Sequence, residues 1–392
     1  MGRRLRVLVV GAGVGGISVA RGLLRDGHDV TVFEQRPEAQ PGGGAVTIWS
    51  NGATVLEQLG VDMGGAGQEL SAVRVVTSTG RPLVTMDLTA MTDRLGAPVR
   101  MVPRRVVLER LLERFPTDRI RYGCRAANVA GGDGGVRVEF EDGAAAEGDL
   151  LVGADGLHSK VRDILGAGDA EPTGWCSWQG LATHRGIADK RVALLVIGER
   201  GNLGLWPAGG SEVQWWFDLP WSYGFVRPQQ PIDVIREHFT GWCEAVDSLL
   251  VTLTDDDLAD SPYPHFRHPI PPPGRGPMTL LGDAAHTMPP TLAQGTNQAL
   301  LDTMVLCKAI ADRRDGDLAK ALRWYEKTRR RSVAAVSRVT SLQVSHGEPV
   351  LRPAAVIPDR YMTWALTTFF SAVSHRRIAA EVSRALSAAT SS

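Results

Sequence analysis

The sequence predicts an α/β protein: a Rossmann-like dinucleotide-binding domain, an antiparallel β-sheet domain inserted into it, and a helical C-terminal region. Three observations predict this class. The largely apolar runs Leu5–Val10, Asp149–Val152 and Met278–Leu281 each lead into a turn rich in glycine or aspartate, as parallel strands buried on both faces do. Between residues 173 and 268 apolar and polar side chains alternate, and seven of the ten tryptophans fall there (Trp175, Trp178, Trp206, Trp215, Trp216, Trp221 and Trp242). Beyond Gln294 the pattern turns helical.

The elements follow in order. Leu5–Val10 reads as the first strand, Val14–Arg25 as a helix and Asp29–Phe33 as the second strand, a compact βαβ unit ending at Glu34. Pro41 to Gly44 form a glycine-rich loop, followed by short helices near Asn51–Leu59 and Arg104–Phe115. Val136–Phe140, then Glu141-Asp142-Gly143, reads as a hairpin arm with its turn. In the tryptophan-rich region, strands are expected near 175–186, 192–197, 203–207 and 213–219. Val350–Pro358, with two prolines, should interrupt the C-terminal helices, and a last helix should run over Tyr361–Ala388.

Composition excludes several function classes. Lys plus Arg and Asp plus Glu number 43 each, so no net charge draws the chain to nucleic acid or an anionic membrane. The run Arg329-Arg330-Arg331 lies on an expected helix and reads as a solvated face. Cys124, Cys176, Cys243 and Cys307 lack metal-ligand or CxxC spacing, which suggests a reduced, cytoplasmic protein without a metal site. The apolar segment at Trp364–Phe370 is too short to span a bilayer, so no stable membrane insertion is expected.

Three motifs carry chemistry. Gly11, Gly13 and Gly16 sit between a strand and a helix. There a first glycine permits the tight turn, a second clears space for a pyrophosphate, and a third lets helix and strand approach. Val14 and Gly15 open the helix, whose free N–H groups favour phosphate. Glu34, with Gln35 beside it, ends the second strand where a carboxylate can hold an adenosine ribose. Asp155-Gly156-Leu-His-Ser159-Lys-Val-Arg162 follows the middle strand, where Asp155 can also cap the next helix. Gly282-Asp283-Ala-Ala-His286 follows the third, continuing through Pro290 to Gly295-Thr296-Asn297 at a helix start. Asp283 can bind a polyol, and the helix terminus can stabilise negative charge. His286 is expected to brace the turn.

Together, in this order, the motifs resemble those of the single-component FAD-dependent monooxygenases built like the aromatic hydroxylases. The resemblance covers about residues 5–60, 100–165 and 275–345. It implies a discontinuous FAD-binding domain (1–72, 100–172 and 275–345), a substrate domain (73–99 and 173–274) and a C-terminal helical segment (346–392). It also implies ribityl contact for Asp283, pyrophosphate support by Asp155, backbone contacts at Gly295–Asn297, and a flavin-directed Arg104, with Arg105 a neighbouring competitor. Gly44–Ile48 resembles the segment passing beside the isoalloxazine, and Ala293 replaces the glycine more usual at its position.

The implied reaction uses NADPH or NADH and O2 to hydroxylate a small aromatic or polycyclic compound through a flavin C4a-hydroperoxide. Epoxidation, Baeyer–Villiger insertion and a non-redox cyclisation or isomerisation are the alternatives. On the substrate side, Gln179, Trp206, Gln214, Trp216 and Pro290 are candidate contacts and His184 a candidate base. Strand alternation lets only one of Trp215 and Trp216 face the pocket.

Overall fold

In a computed structural model, the structure describes residues 3–39, 42–132, 134–199, 201–271, 274–313, 317–345 and 356–390. Strand Arg6–Val10 lies at the centre of a five-stranded parallel sheet, between Leu150–Gly153 and Asp29–Phe33, with Met278–Leu280 and Ile120–Arg121 outermost. Its side chains alternate between two cores. Val7 and Val9 pack under helices Val14–Arg25 and Gly295–Ala311, while Leu8 and Val10 pack against the three-stranded sheet 126–148. Burial on both faces explains why these strands read as apolar runs rather than alternating ones.

The inserted sheet has seven strands, in the order Tyr263–Arg267, Glu171–Thr183, Glu212–Pro220, Gly201–Gly209, Val192–Gly198, Ala72–Thr77 and Pro82–Asp87. The four strands expected between 175 and 219 are present; the last three run longer than expected, whereas the first starts earlier, at Glu171, and ends at Thr183 rather than 186. The sheet is not wholly antiparallel, because Val192–Gly198 pairs parallel with Ala72–Thr77. That pairing joins segments more than a hundred residues apart, which no local pattern announces.

One face buries Trp178, Trp215 and Phe217 under helices Pro231–Phe239 and Glu244–Thr252. The other turns Leu181, Trp206 and Trp216 toward Ala45, Trp49 and Met101. Trp215 and Trp216 thus lie on opposite faces, as alternation requires. A small sheet of Ala45–Ile48, Arg100–Pro103 and Gln68–Glu69 joins the two parts.

The C-terminal region differs from expectation. Instead of one helix there are two, Asp359–Val373 and Arg376–Thr390, separated where His375 takes a left-handed conformation (φ 49°). Of the proline-rich break, residues 350–355 lie outside the described residues, and Pro358 immediately precedes the first of these helices. Among the described residues no helix is long and apolar enough to cross a membrane.

Candidate functional site

The first turn has the geometry its glycines suggest. Gly11 adopts φ 105°, and a Cβ there would meet the Ala154 carbonyl oxygen at 2.3 Å. A Cβ on Gly16 would lie 1.9 Å from the Gly11 oxygen, so the helix can approach the strand only as glycine. Gly13 is the opposite case: nothing lies within 4 Å of where its Cβ would be. Gly15 is a packing glycine, its Cβ position 2.7 Å from Leu281 and 3.5 Å from Ala299. The helix that begins at Val14 has no capping side chain and no acidic residue in its first turn, leaving its N-terminal dipole for an anion. Glu34 accepts from the Ala12 and Arg36 amides at 2.9 and 3.0 Å, which fixes its carboxylate against the turn; Gln35 is exposed beside it.

Asp155 is spent on its own helix. Its carboxylate accepts from Ser159 Oγ (2.5 Å) and the Lys160 and Val161 amides (2.8 and 3.3 Å), while Ser159 Oγ accepts from the Arg162 amide. Burial raises its pKa and these hydrogen bonds oppose the rise. Arg162, buried, donates to the carbonyls of Ala167, Gly168, Pro269, Ala284 and Ala285. One guanidinium thereby fixes the middle motif to the third, satisfying carbonyls that a short helix would leave unpaired.

Asp283 is exposed, and its carboxylate accepts no hydrogen bond from the described residues; Gly295 is its neighbour, with a Cβ position 3.9 Å from Asp283 Oδ1. Behind it, His286 Nε2 lies 2.6 Å from Asp302 Oδ2, which also accepts from the Gly282 amide at 2.9 Å. Arg329 Nε closes the cluster, 2.6 Å from Asp302 Oδ1. Arg329 is therefore not part of a solvated face. Burial alone would raise the Asp302 pKa, but the charges and hydrogen bonds of His286 and Arg329 hold it at about 2.

The 44–49 segment is held from three directions. Asn297 Oδ1 accepts from the Trp49 amide (2.9 Å), and its Nδ2 donates to the Thr47 and Ala293 carbonyls. Gln214 Oε1 accepts from the Ala45 amide at 2.5 Å. The Gly44 carbonyl accepts from the Arg104 amide at 3.0 Å. Asn297 and Gln214 thus spend their side chains on the loop, leaving the uncapped first-turn amides of Gly295 and Thr296 facing outward from that helix end. Arg105 forms an ion pair with Glu212 at 2.9 Å, whereas Arg104 is half-buried with its Nε unpartnered.

On the facing sheet wall, Gln179 stands opposite Trp216 in the ladder, and Trp216 packs on Trp206 with ring centroids 5.8 Å apart. His184 falls outside this row. It lies beyond the end of its strand, at the N-cap position of helix Arg185–Ala188 but with no capping side-chain bond, and that helix packs on the opposite face with Trp215. Pro290 is exposed at the start of a 3-10 turn after the third motif. Sequence reasoning missed a polar cluster on the same sheet, Ser177, Asp218 and His265. Ser177 Oγ lies 2.5 Å from Asp218 Oδ1 and 2.6 Å from His265 Nε2. Burial pushes Asp218 up to about 7, against the Ser177 hydrogen bond, and His265 down to about 4. Nothing in the local sequence of these three residues signals the cluster.

The donor set fits a dinucleotide carrying a polar ring system: open space at Gly13, an oriented Glu34, an unspent Asp283 and an orphaned Arg104 guanidinium nitrogen. Comparison with known proteins agrees. The family model described as an FAD binding domain matches residues 4–340. An FAD-dependent urate hydroxylase of Klebsiella oxytoca is 31% identical over 333 residues, covering 83% of this chain and 86% of that protein. Aurachin C monooxygenase/isomerase of Stigmatella aurantiaca is 28% identical over 328 residues, covering 83% and 85%. Klebsiella pneumoniae HpxO, solved with FAD and uric acid, superposes with a TM-score of 0.84 at 26% identity, covering 93% of this chain and 96% of that one.

Proposed function

The chain belongs to the FAD-binding-domain family of flavoprotein monooxygenases, and from that premise we propose that it hydroxylates a small, planar, electron-rich aromatic or heteroaromatic compound. It is an FAD-dependent oxidoreductase; NADPH or NADH serves as transient reductant and O2 as oxidant. When bound, FAD supplies the two-electron chemistry and the activation of oxygen. The rest falls to the protein.

Gly11, Gly13, Gly16 and the helix start at Val14 would hold the pyrophosphate, and Glu34 the adenosine ribose. Asp283 would take the ribityl chain, and the amides of Gly295 and Thr296 the ring edge where negative charge develops. Arg104 would reach the flavin from its helix start. Asp155 acts through Ser159 and Arg162, as a support for the pyrophosphate side. The division into a discontinuous FAD domain, a substrate domain and a C-terminal segment is part of the same reading, as is a cytoplasmic location.

The observation that carries the substrate class is the wall opposite the 44–49 loop. Gln179, Trp206 and Trp216 form a mostly apolar surface, its two indoles tilted by 52°, with one amide that makes no hydrogen bond among the described residues, suited to the face and edge of an aromatic ring with a polar substituent. Gln214 orients the loop rather than the ligand. The protein's work is to position the ring and keep water from the reacting atoms.

The test is the visible spectrum of the FAD-loaded protein under anaerobic titration with NADPH or NADH, repeated with uric acid and a panel of phenols. Bleaching that one of these compounds accelerates, followed by oxygen uptake matched to hydroxylated product, is the expected result. A flavin that stays oxidised with every compound, or a protein that cannot be loaded with FAD, overturns the proposal.

A further inference from the structure

The substrate sheet contains a polar cluster that no cofactor contact uses. Ser177, Asp218 and His265 come from three adjacent strands and are only 4%, 7% and 1% exposed. Burying three polar groups is costly unless their hydrogen bonds are made. Two atoms of this cluster are left over. Asp218 Oδ2 accepts no hydrogen bond from the described residues, and His265 Nδ1 is buried without a partner.

Position gives the leftover oxygen its meaning. Ser177 stands opposite Asp218 on one side and Tyr263 on the other. Two residues further along the same strand and face, Gln179 stands opposite Trp216. Asp218 is therefore one side-chain row, roughly 6–7 Å along the strand, from the Gln179–Trp216 pair of the wall. Tyr263 in turn lies within electrostatic reach of Asp283 and Arg104 on the cofactor side. The cluster therefore adjoins the proposed substrate wall along the strands and, through Tyr263, the residues proposed to meet the flavin.

Resting on the function proposed above, we infer that Asp218, oriented by Ser177 and His265, accepts the acidic O–H or N–H proton of the substrate. In this step the O–H or N–H bond breaks heterolytically, and the proton bonds to Asp218 Oδ2. The electron pair stays on the substrate, raising the nucleophilicity of the ring carbon that takes the oxygen. No oxidant is consumed, and the proton leaves Asp218 to water after product release. The hydrogen bonds run in one direction in the charged state. His265 Nε2–H donates to Ser177 Oγ, and Ser177 O–H donates to Asp218 Oδ1.

The surroundings suit a base that works near neutrality. Among the described residues no lysine or arginine pairs with Asp218, His265 is held neutral by burial, and burial with the nearby Asp218 charge pushes the Cys176 thiol up to about 12. Burial raises the Asp218 carboxyl to about 7, in the range where a general base is most effective at physiological pH.

The experiment uses the FAD-loaded enzyme and 4-nitrophenol as probe, below the pH at which the free phenol ionises, with bound phenolate read in difference spectra. Wild type and Asp218→Glu should bind the phenolate. Asp218→Asn should bind the neutral phenol, with affinity changed less than about tenfold. Ser177→Ala removes a hydrogen bond that favours the charged carboxylate, so Asp218 becomes the stronger base and the pH at which bound phenolate appears should fall measurably. A merely structural tie between strands would lower thermal stability in these variants without moving that pH. Equal phenolate in wild type and Asp218→Asn, or none bound by wild type, overturns the inference. Flavin reduction by NADPH or NADH is measured alongside. Normal bleaching with unmoved phenol ionisation removes the Asp218 role alone, whereas failure of wild type to bleach with any compound removes the proposed function.

Discussion

Arg329 Nε lies 2.6 Å from Asp302 Oδ1, and the two side chains are 4% and 0% exposed. Arg329 also donates to the Gln298 carbonyl and side-chain oxygens, while Asp302 accepts from His286 and the Gly282 amide. A buried ion pair of this kind contributes little net stability, but breaking it leaves an uncompensated charge. Because Gly282 directly precedes Asp283, the pair fixes the turn that presents the proposed ribityl ligand.

Replacing Arg329 with Met should therefore destabilise the protein by about 3–5 kcal/mol, measured by urea denaturation. The exposed Arg331→Ala should stay within about 0.5 kcal/mol. The Asp302 carboxyl is depressed from the usual value near ~3.9 to about 2 in the fold. Its contribution is present above pH ~4 and is lost as pH falls toward about 2. The stability gap between wild type and Asp302→Asn should narrow across that interval; a gap that widens on acidification would contradict the assignment.

Gly13 and Gly16 should separate cofactor binding from folding. Gly13→Ala adds a methyl group into open space, so the FAD-free melting temperature should hold within about 2 °C. FAD affinity should fall by roughly tenfold or more, because the methyl group occupies the approach to the pyrophosphate. Gly16→Ala meets the Gly11 oxygen and should lower stability of the FAD-free chain by about 2 kcal/mol or more. Equal behaviour of the two variants in calorimetry and flavin titration would show that the space at Gly13 is not the phosphate path.

Arg104 and Arg105 are adjacent, yet their substitutions should differ. Arg105 makes an exposed ion pair with Glu212, so Arg105→Ala should cost less than about 1 kcal/mol and leave the flavin spectrum unchanged. Arg104→Ala should weaken flavin retention at least tenfold and shift the visible absorption band. Retention of flavin in Arg104→Ala, read by gel filtration, would remove its proposed role.

Ala293 adopts φ 50°, a left-handed conformation that costs a residue with a Cβ about 1–2 kcal/mol. Glycine relieves that strain but adds unfolded-chain entropy worth roughly 0.5–1 kcal/mol. Ala293→Gly should thus be neutral or stabilising by up to about 1 kcal/mol with FAD still bound. Destabilisation beyond that in a thermal melt would mean the methyl group makes contacts that outweigh the strain.

Much of this site was legible because its motifs are local. Gly11, Gly13, Gly16 and Glu34 fall within one strand–helix–strand unit, and the phosphate and ribose contacts proposed for them rest on that spacing. The helix start at Gly295 and the strand leading to Asp283 were legible for the same reason. The residues misjudged were those whose role depends on a distant partner. Arg329 looked solvated because its sequence neighbours are charged. His184 looked like a base because a strand pattern cannot tell where the strand stops.

By itself the sequence determined the nucleotide-binding unit, the central parallel strands and the alternation that puts Trp215 and Trp216 on opposite faces. Those features depend on intervals of two to about twenty residues, within which backbone geometry is nearly fixed by residue type. Only the tertiary structure decided that Ser177, Asp218 and His265 meet, across separations of 41 and 88 residues. It alone decided that Ala72–Thr77 joins the seven-stranded sheet beside Val192–Gly198. Contacts at that range are set by sheet register and strand order. These minimise buried, unpaired polar groups over the whole chain at once, a balance no short window of sequence contains.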